Sequence, residues 1–223
     1  GGLASSSSFV VALIKSLTKL KNEELSNEEI AKLACSIEFD ESNGAMGRQD
    51  QYLCALGGVN FLSFEKNGIV KRKNYPIVSE AIRKYCEEIY LINTSISRSA
   101  KEQLTLIKND PDSYFCIEQI LDIAESFIHD VKDIKDVNSI IKRLEIAIHK
   151  SWEIKKNMKG VLNSKLKEIQ NLLIEKDFDL IKILGAGGGG YFLAKYNGKN
   201  IEKITKEFSI KNIFIKKIPI DLY

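Results

Sequence analysis

Gly185-Ala186-Gly187-Gly188-Gly189-Gly190, followed at once by Tyr191-Phe192-Leu193-Ala194-Lys195-Tyr196, is the stretch on which the fold turns. Its glycines satisfy the GxGxxG pattern of dinucleotide folds. A dinucleotide loop, however, must open a helix whose first amides meet the pyrophosphate. Here the residues after the loop have the alternation and the aromatic and apolar content of a strand. A P-loop is excluded as well, because no glycine run is followed by Lys and then Ser or Thr. The neighbouring segments read as strand (180–184), strand (191–196), helix (201–208) and strand (213–220), which is an α+β tail with a helix packed on an antiparallel sheet. Two readings stay open for the loop itself. It is a tight turn between strands, or a backbone kept free of side chains so that a ligand approaches closely.

Working back toward the start, residues 97–176 carry a helical period almost throughout, broken at Asn109-Asp110-Pro111 and at Gly160. A strand is predicted at 89–92, and a hairpin at 60–64 and 69–73 around Asn67-Gly68. Residues 42–51 are glycine-punctuated, and a short apolar helix through Tyr52, Leu53 and Leu56 places Asp50 at its start. Ser26 and Glu29 form a capping box for another helix. The opening Gly1-Gly2-Leu3-Ala4-Ser5-Ser6-Ser7-Ser8 feeds an amphipathic helix bearing Phe9, Val10, Leu13, Ile14, Leu17 and Leu20. Four serines exceed what one N-cap requires. Small residues with hydroxyls at the positive end of a helix dipole also make an anion site. A boundary is expected near 93–97.

The 223 residues are 44% hydrophobic and 28% charged, which excludes a disordered chain. Lys and Arg number 33 against 30 Asp and Glu, interspersed, so no nucleic-acid footprint is present. No apolar run reaches bilayer length and no basic leader precedes residue 9, so the expectation is a cytoplasmic protein without membrane partners. Cys35, Cys54, Cys86 and Cys116 lie far apart and read as buried free thiols. His129 and His149 lie away from every motif and read as structural, as does Trp152, a packing residue.

The ordered set Gly2-Leu3-Ala4-Ser5-Ser6-Ser7-Ser8, Gly47-Arg48-Gln49-Asp50-Gln51 and Gly185-Ala186-Gly187-Gly188-Gly189-Gly190 resembles the GHMP kinase superfamily of galactokinase, homoserine kinase and mevalonate kinase. Gly57-Gly58-Val59-Asn60-Phe61, Ser95-Ile96-Ser97-Arg98-Ser99-Ala100 and the Trp152-to-Lys156 segment resemble its D-glycero-D-manno-heptose 7-phosphate kinases. Ala4 stands where the family usually has glycine, a change the loop absorbs if φ there is negative. Arg48 stands for the usual lysine. Family members carry an N-terminal segment ahead of this loop, so uncovered core and a bare sheet edge are expected.

The resemblance implies an α+β, GHMP kinase-like two-domain fold: an N-terminal ribosomal-protein-S5-like half, truncated here (1–93), and a C-terminal ferredoxin-like α+β domain with added helices (94–223). It implies ATP and Mg²⁺ as cofactors, a sugar phosphate as substrate and a homodimer as the oligomeric expectation. Gly2, Leu3, Ala4, Ser5, Ser6, Ser7 and Ser8 would wrap the nucleotide phosphates, with Ser6 and Glu38 holding the metal and Asp40 as the alternative carboxylate. Without the motif, Glu38 reads as a solvated acid at a helix end. Asp50 would orient the acceptor hydroxyl and take its proton, or would simply cap its helix. Gly185, Gly187, Gly188, Gly189 and Arg98 would line the substrate; a lone arginine is otherwise an ion-pair residue. The implied activity is phosphorylation of the anomeric hydroxyl of a heptose 7-phosphate to the 1,7-bisphosphate, for surface polysaccharide precursors. Another GHMP-type sugar kinase and a non-catalytic nucleotide-binding fragment are the alternatives.

Overall fold

Capping chemistry sets most helix starts in this chain. The computed structural model describes residues 2–41 and 47–218, without the side chains of residues 40 and 41. Helix α1 (Ser5–Leu20) begins after Ala4, α2 (Asn27–Glu41) after the Ser26–Glu29 box, and α3 (Gln49–Leu56) after Arg48. In the box, the Glu29 amide donates to Ser26 Oγ while Glu29 Oε2 accepts from the Ser26 amide. Strands β1 (Phe61–Phe64) and β2 (Val70–Lys73) form the expected antiparallel hairpin, Phe61 opposite Lys73 and Phe64 opposite Val70. These five elements make one compact unit, Ala4–Tyr75. Its core is Val11, Ile14, Ile30, Ala31, Ala34, Tyr52 and Ala55. Phe9, Leu13, Leu17 and Leu20 of α1 are exposed.

Gly2, Leu3 and the chain from Pro76 onward form the other unit. It opens with α4 (Pro76–Cys86), a helix absent from the sequence reading although its signals are present. Pro76 is at its first position, and the buried Val78, Ala81 and Tyr85 recur at helical spacing. Strand β3 (Ile89–Asn93) follows, then α5 (Ala100–Lys108), α6 (Pro111–Val131), α7 (Val137–Lys155) and α8 (Ser164–Glu175). The break between α6 and α7, missed in the sequence, is set by Asp136, whose carboxylate accepts from the Ser139 amide at 2.8 Å. Next come β4 (Phe178–Ile183), β5 (Tyr191–Tyr196), α9 (Ile201–Ile210) and β6 (Phe214–Lys217). Strand β4 starts two residues earlier than expected and bulges, with Leu180 at φ 47° and a register shift between Asp179 and Lys182. The expected end of the last strand, residues 219 and 220, lies outside the described residues.

The four long-unit strands are ordered β4-β5-β3-β6, every pairing antiparallel. In chain order this is second-third-first-fourth, the ferredoxin-like arrangement, with four helices inserted between its first two strands. Its core joins Ile92, Leu166, Leu173, Phe178, Phe192 and Phe208 to Trp152, whose ring meets Phe192 edge-on at 6.4 Å. Trp152 is therefore the packing residue it was read as. The packing division falls between Tyr75 and Pro76, so α4 and β3 join the glycine-loop sheet rather than the front unit. All four cysteines are free thiols, half-buried rather than fully buried. Among the described residues no helix is long and apolar enough to cross a membrane.

Candidate active site

Helix α1 starts on a residue that has no capping side chain. Ala4 sits at φ 51°, in the left-handed region, so the condition under which alanine was expected to replace glycine without strain is not met. Ala4→Gly is expected to raise the unfolding free energy by about 1 kcal/mol, measured by denaturant titration, since glycine adopts that φ without steric cost. An unchanged or lower value would mean the loop is not strained. Among the described residues the first-turn amides of Ser5, Ser6 and Ser7 have no main-chain partner in the preceding turn, and the dipole of a 16-residue helix adds to them. Ser8 Oγ is turned back to the Ser5 carbonyl at 2.9 Å.

Of the serines, Ser7 rather than Ser6 meets the carboxylate. Ser7 Oγ donates to Glu38 Oε2 at 2.6 Å, and both residues are buried. The reason is helical phase: Ser7 lies on the face of Val11 and Ile14, which packs inward, while Ser6 is rotated by about 100° into solvent. Glu38 is accordingly a buried, doubly held carboxylate and not a solvated one. Gln51 Nε2 donates to the same Oε2, and Gln51 Oε1 is buried without a hydrogen-bond partner among the described residues. The side chain of Asp40 lies outside the described residues. Among the described residues no three His, Cys, Asp or Glu side chains group as a metal cluster. A buried carboxylate, nearby hydroxyls and an orphaned amide oxygen are hard oxygen donors, the set that Mg²⁺ takes together with waters and phosphates.

Asp50 is not the helix cap. Arg48 occupies that position without a capping bond, and Asp50 stands in the first turn of α3. It is exposed, yet partial desolvation and the charge of Glu38 push its carboxyl above the usual aspartate range. The main-chain carbonyl of Arg48 accepts from Cys35 Sγ at 3.9 Å, and its side chain lines a hollow of about 330 Å³ with Lys32, Phe39 and Tyr52.

In the other unit the glycine loop between β4 and β5 has a packing cause that its sequence did not reveal. A Cβ on Gly187 would come within 2.7 Å of Val161 Cα, one on Gly188 within 2.9 Å of Gln103 Oε1, and one on Gly189 would run into the Ile96 carbonyl. The amides of Gly188 and Gly190 donate to the Val161 and Ile96 carbonyls. Main-chain neighbours therefore require glycine at 187 and 189, and a φ of 74° favours it at 188. Gly185 differs: it is exposed, and its Cβ would lie 3.0 Å from Gly2 Cα and 3.5 Å from Arg98 Nη2. Thus Gly2, from the opening loop, and Gly185 meet backbone to backbone.

Arg98 is not an ion-pair residue among the described residues; its Nε donates to the Gly187 carbonyl at 2.7 Å. Lys155 Nζ donates to the Gly185 carbonyl at 2.5 Å and reaches the Ile183 carbonyl at 3.4 Å. Burial, then the charges of Lys182 and Arg98, pull its ammonium down to about 8. Burial lowers Lys182 and Arg98 as well. With a folded value below the unfolded one, Lys155 costs stability under pH 8, and that cost fades as pH rises from there toward 10.5. Sequence reasoning assigned no role to Lys155 or Lys182; the one signal was the position of Lys155 in the Trp152-to-Lys156 segment.

Residues 1–58 match the family described as GHMP kinases N terminal domain. The chain is 31% identical over 193 residues to a D-glycero-alpha-D-manno-heptose 7-phosphate kinase of Campylobacter jejuni, a match covering 85% of this chain and 56% of that protein. It is 29% identical over 210 residues to a mevalonate kinase of Thermococcus onnurineus, covering 92% and 58%. Among solved structures, a proposed sugar kinase from Campylobacter jejuni superposes with a TM-score of 0.68 at 27% identity, over 97% of this chain and 61% of that one. The chain thus spans somewhat more than half the length of the relatives it matches.

Proposed function

The chain belongs to the GHMP kinase superfamily, and on that premise we propose that it carries the machinery of an ATP-dependent kinase whose acceptor is a sugar phosphate. The observation that carries the kinase reading is the buried Ser7–Glu38–Gln51 cluster at the uncapped start of α1, with Asp50 at the start of α3. Gly2 through Ser8 receive the nucleotide phosphates on the free amides of α1. Glu38, together with the exposed hydroxyl of Ser6, would hold Mg²⁺, which neutralises phosphate charge during transfer. Asp50 orients the acceptor hydroxyl and takes its proton as the γ-phosphoryl group leaves ADP. Arg98 meets the acceptor beside Gly185, while Gly187, Gly188 and Gly189 shape the loop behind it.

The finer acceptor we assign is the anomeric hydroxyl of D-glycero-D-manno-heptose 7-phosphate, giving the 1,7-bisphosphate and ADP. It is supported by the heptose kinase likeness at 31% identity and by the segments around Arg98 and Trp152. The similarity to mevalonate kinases over 92% of the chain supports a second reading with a hydroxy-acid acceptor. ADP release with Mg-ATP, measured across heptose 7-phosphate, galactose, fucose and mevalonate, is expected to be fastest with the heptose phosphate. Turnover of mevalonate alone would reverse the assignment, and release with none of them would point to a non-catalytic nucleotide-binding role.

A further inference from the structure

Two cations meet the glycine loop with a third beside them, and among the described residues no carboxylate pairs with any of the three. Lys155, near the end of α7, and Arg98, in the segment before α5, each donate to a loop carbonyl, at Gly185 and Gly187. Lys182, on β4, donates to Ser151 Oγ at 3.0 Å, one helical turn before Lys155. All three are half-buried, and among the described residues none forms a salt bridge. Elsewhere on the same sheet, by contrast, Lys195 is matched to both Glu88 and Glu145 at 2.8 Å. The fold therefore pairs its half-buried cations with carboxylates where the purpose is stability, and leaves this trio unpaired.

Desolvated, mutually repelling cations persist when the missing counter-charge arrives with a ligand. We propose that Lys155, Lys182 and Arg98 form a phosphate subsite over Gly185. The guanidinium spends only Nε on the loop, so its terminal nitrogens stay available for a forked contact to phosphate oxygens. Lys182 likewise keeps donors beyond its single bond to Ser151. Gly185 is the exposed glycine of the loop; a Cβ there would crowd Gly2 Cα at 3.0 Å and stand 3.5 Å from Arg98 Nη2, so glycine leaves that guanidinium nitrogen uncovered. The phosphate has two sources, the acceptor's own or the nucleotide's. This assignment rests on the kinase reading for its source, but not for its chemistry.

The test uses Lys155→Met, Lys182→Met and the conservative Lys155→Arg in the whole chain. The first measurement is thermal unfolding at pH 7 with and without inorganic phosphate, which requires no acceptor. Phosphate is expected to raise the melting temperature of the unaltered chain and of Lys155→Arg, and to bind about tenfold to a hundredfold more weakly in both methionine variants. Because the unpaired charge costs stability, Lys182→Met without phosphate should melt no lower than the unaltered chain. The second measurement is KM. A rise of the same size for heptose 7-phosphate, with KM for ATP unchanged, identifies the acceptor as the source; a rise for ATP alone identifies the nucleotide. If no acceptor turns over yet the phosphate shift is lost in the variants, the heptose reading fails while the subsite stands. If both methionine variants keep the full phosphate shift, or melt lower and bind phosphate as before, these residues only brace the loop and the proposal is overturned.

Discussion

Asp50→Asn is expected to lower turnover by about 10²–10⁴-fold while KM for ATP stays within about twofold, because the role proposed for the lost group is on the acceptor hydroxyl and not on the nucleotide. The isosteric amide keeps the shape of the α3 start but cannot take a proton. Desolvation and the neighbouring Glu38 charge raise the Asp50 carboxyl, so it binds a proton more readily when folded than when unfolded. Two consequences have a definite sign. In the unaltered chain the acidic limb of the pH–rate profile should lie above the usual aspartate range, with activity lost as pH falls through it, and this limb should vanish in the residual activity of Asp50→Asn. At neutral pH an ionised Asp50 costs the folded state, so Asp50→Asn should melt at or above the temperature of the unaltered chain. A variant that is both inactive and clearly less stable would mark Asp50 as a structural residue.

Glu38→Gln should be nearly as severe, with about a hundredfold or greater loss of turnover and a raised requirement for Mg²⁺. The glutamine offers an oxygen of the same size to Ser7, which preserves much of the buried arrangement. What it removes is the charge, on which a hard divalent cation depends. Titration of Mg²⁺ at saturating ATP separates the roles: an unchanged metal dependence together with a lower melting temperature would reduce Glu38 to an anchor for α1. Gln51 gives an internal control. It holds Glu38 through Nε2 while its Oε1 has no partner among the described residues, so Gln51→Leu should shift the metal dependence in the same direction through Glu38, by a smaller factor.

Much of this could be read without coordinates, because the signals are local. A glycine run that leads into a strand excludes a dinucleotide loop by its flanks alone, and the sheet of β4, β5, β3 and β6 bears that out. Capping boxes and turn dipeptides are likewise short-range chemistry, and the Ser26–Glu29 box and the Asn67-Gly68 hairpin fall where they were expected. The amphipathic α4 was legible too, from Pro76 and the spacing of Val78, Ala81 and Tyr85, and was missed because Glu80, Arg83 and Lys84 interrupt its apolar residues along the chain. The front-loop motif and Asp50 needed only their order along the chain.

Other features depend on which residues meet, and a linear pattern does not carry that. Ser6 and Ser7 are chemically identical in the sequence; a rotation of about 100° on α1 decides which one is buried against Glu38. Gly187 and Gly189 stand in a run that looks ligand-facing, and Val161 and Ile96, remote in sequence, leave no space for a side chain at either. Ala4 appeared a harmless exchange until its φ of 51° made it a strained one. Lys155 and Lys182 look like any two lysines among many until a helix and a bulged strand bring them, without an ion pair among the described residues, beside Arg98. The sequence by itself determined the family and the α+β class, since motif order and local propensity are properties of the chain. Only the tertiary structure decided which serine holds the carboxylate, why the loop is glycine and where positive charge is left unanswered, because burial, helical phase and electrostatic repulsion exist only once distant segments are packed together.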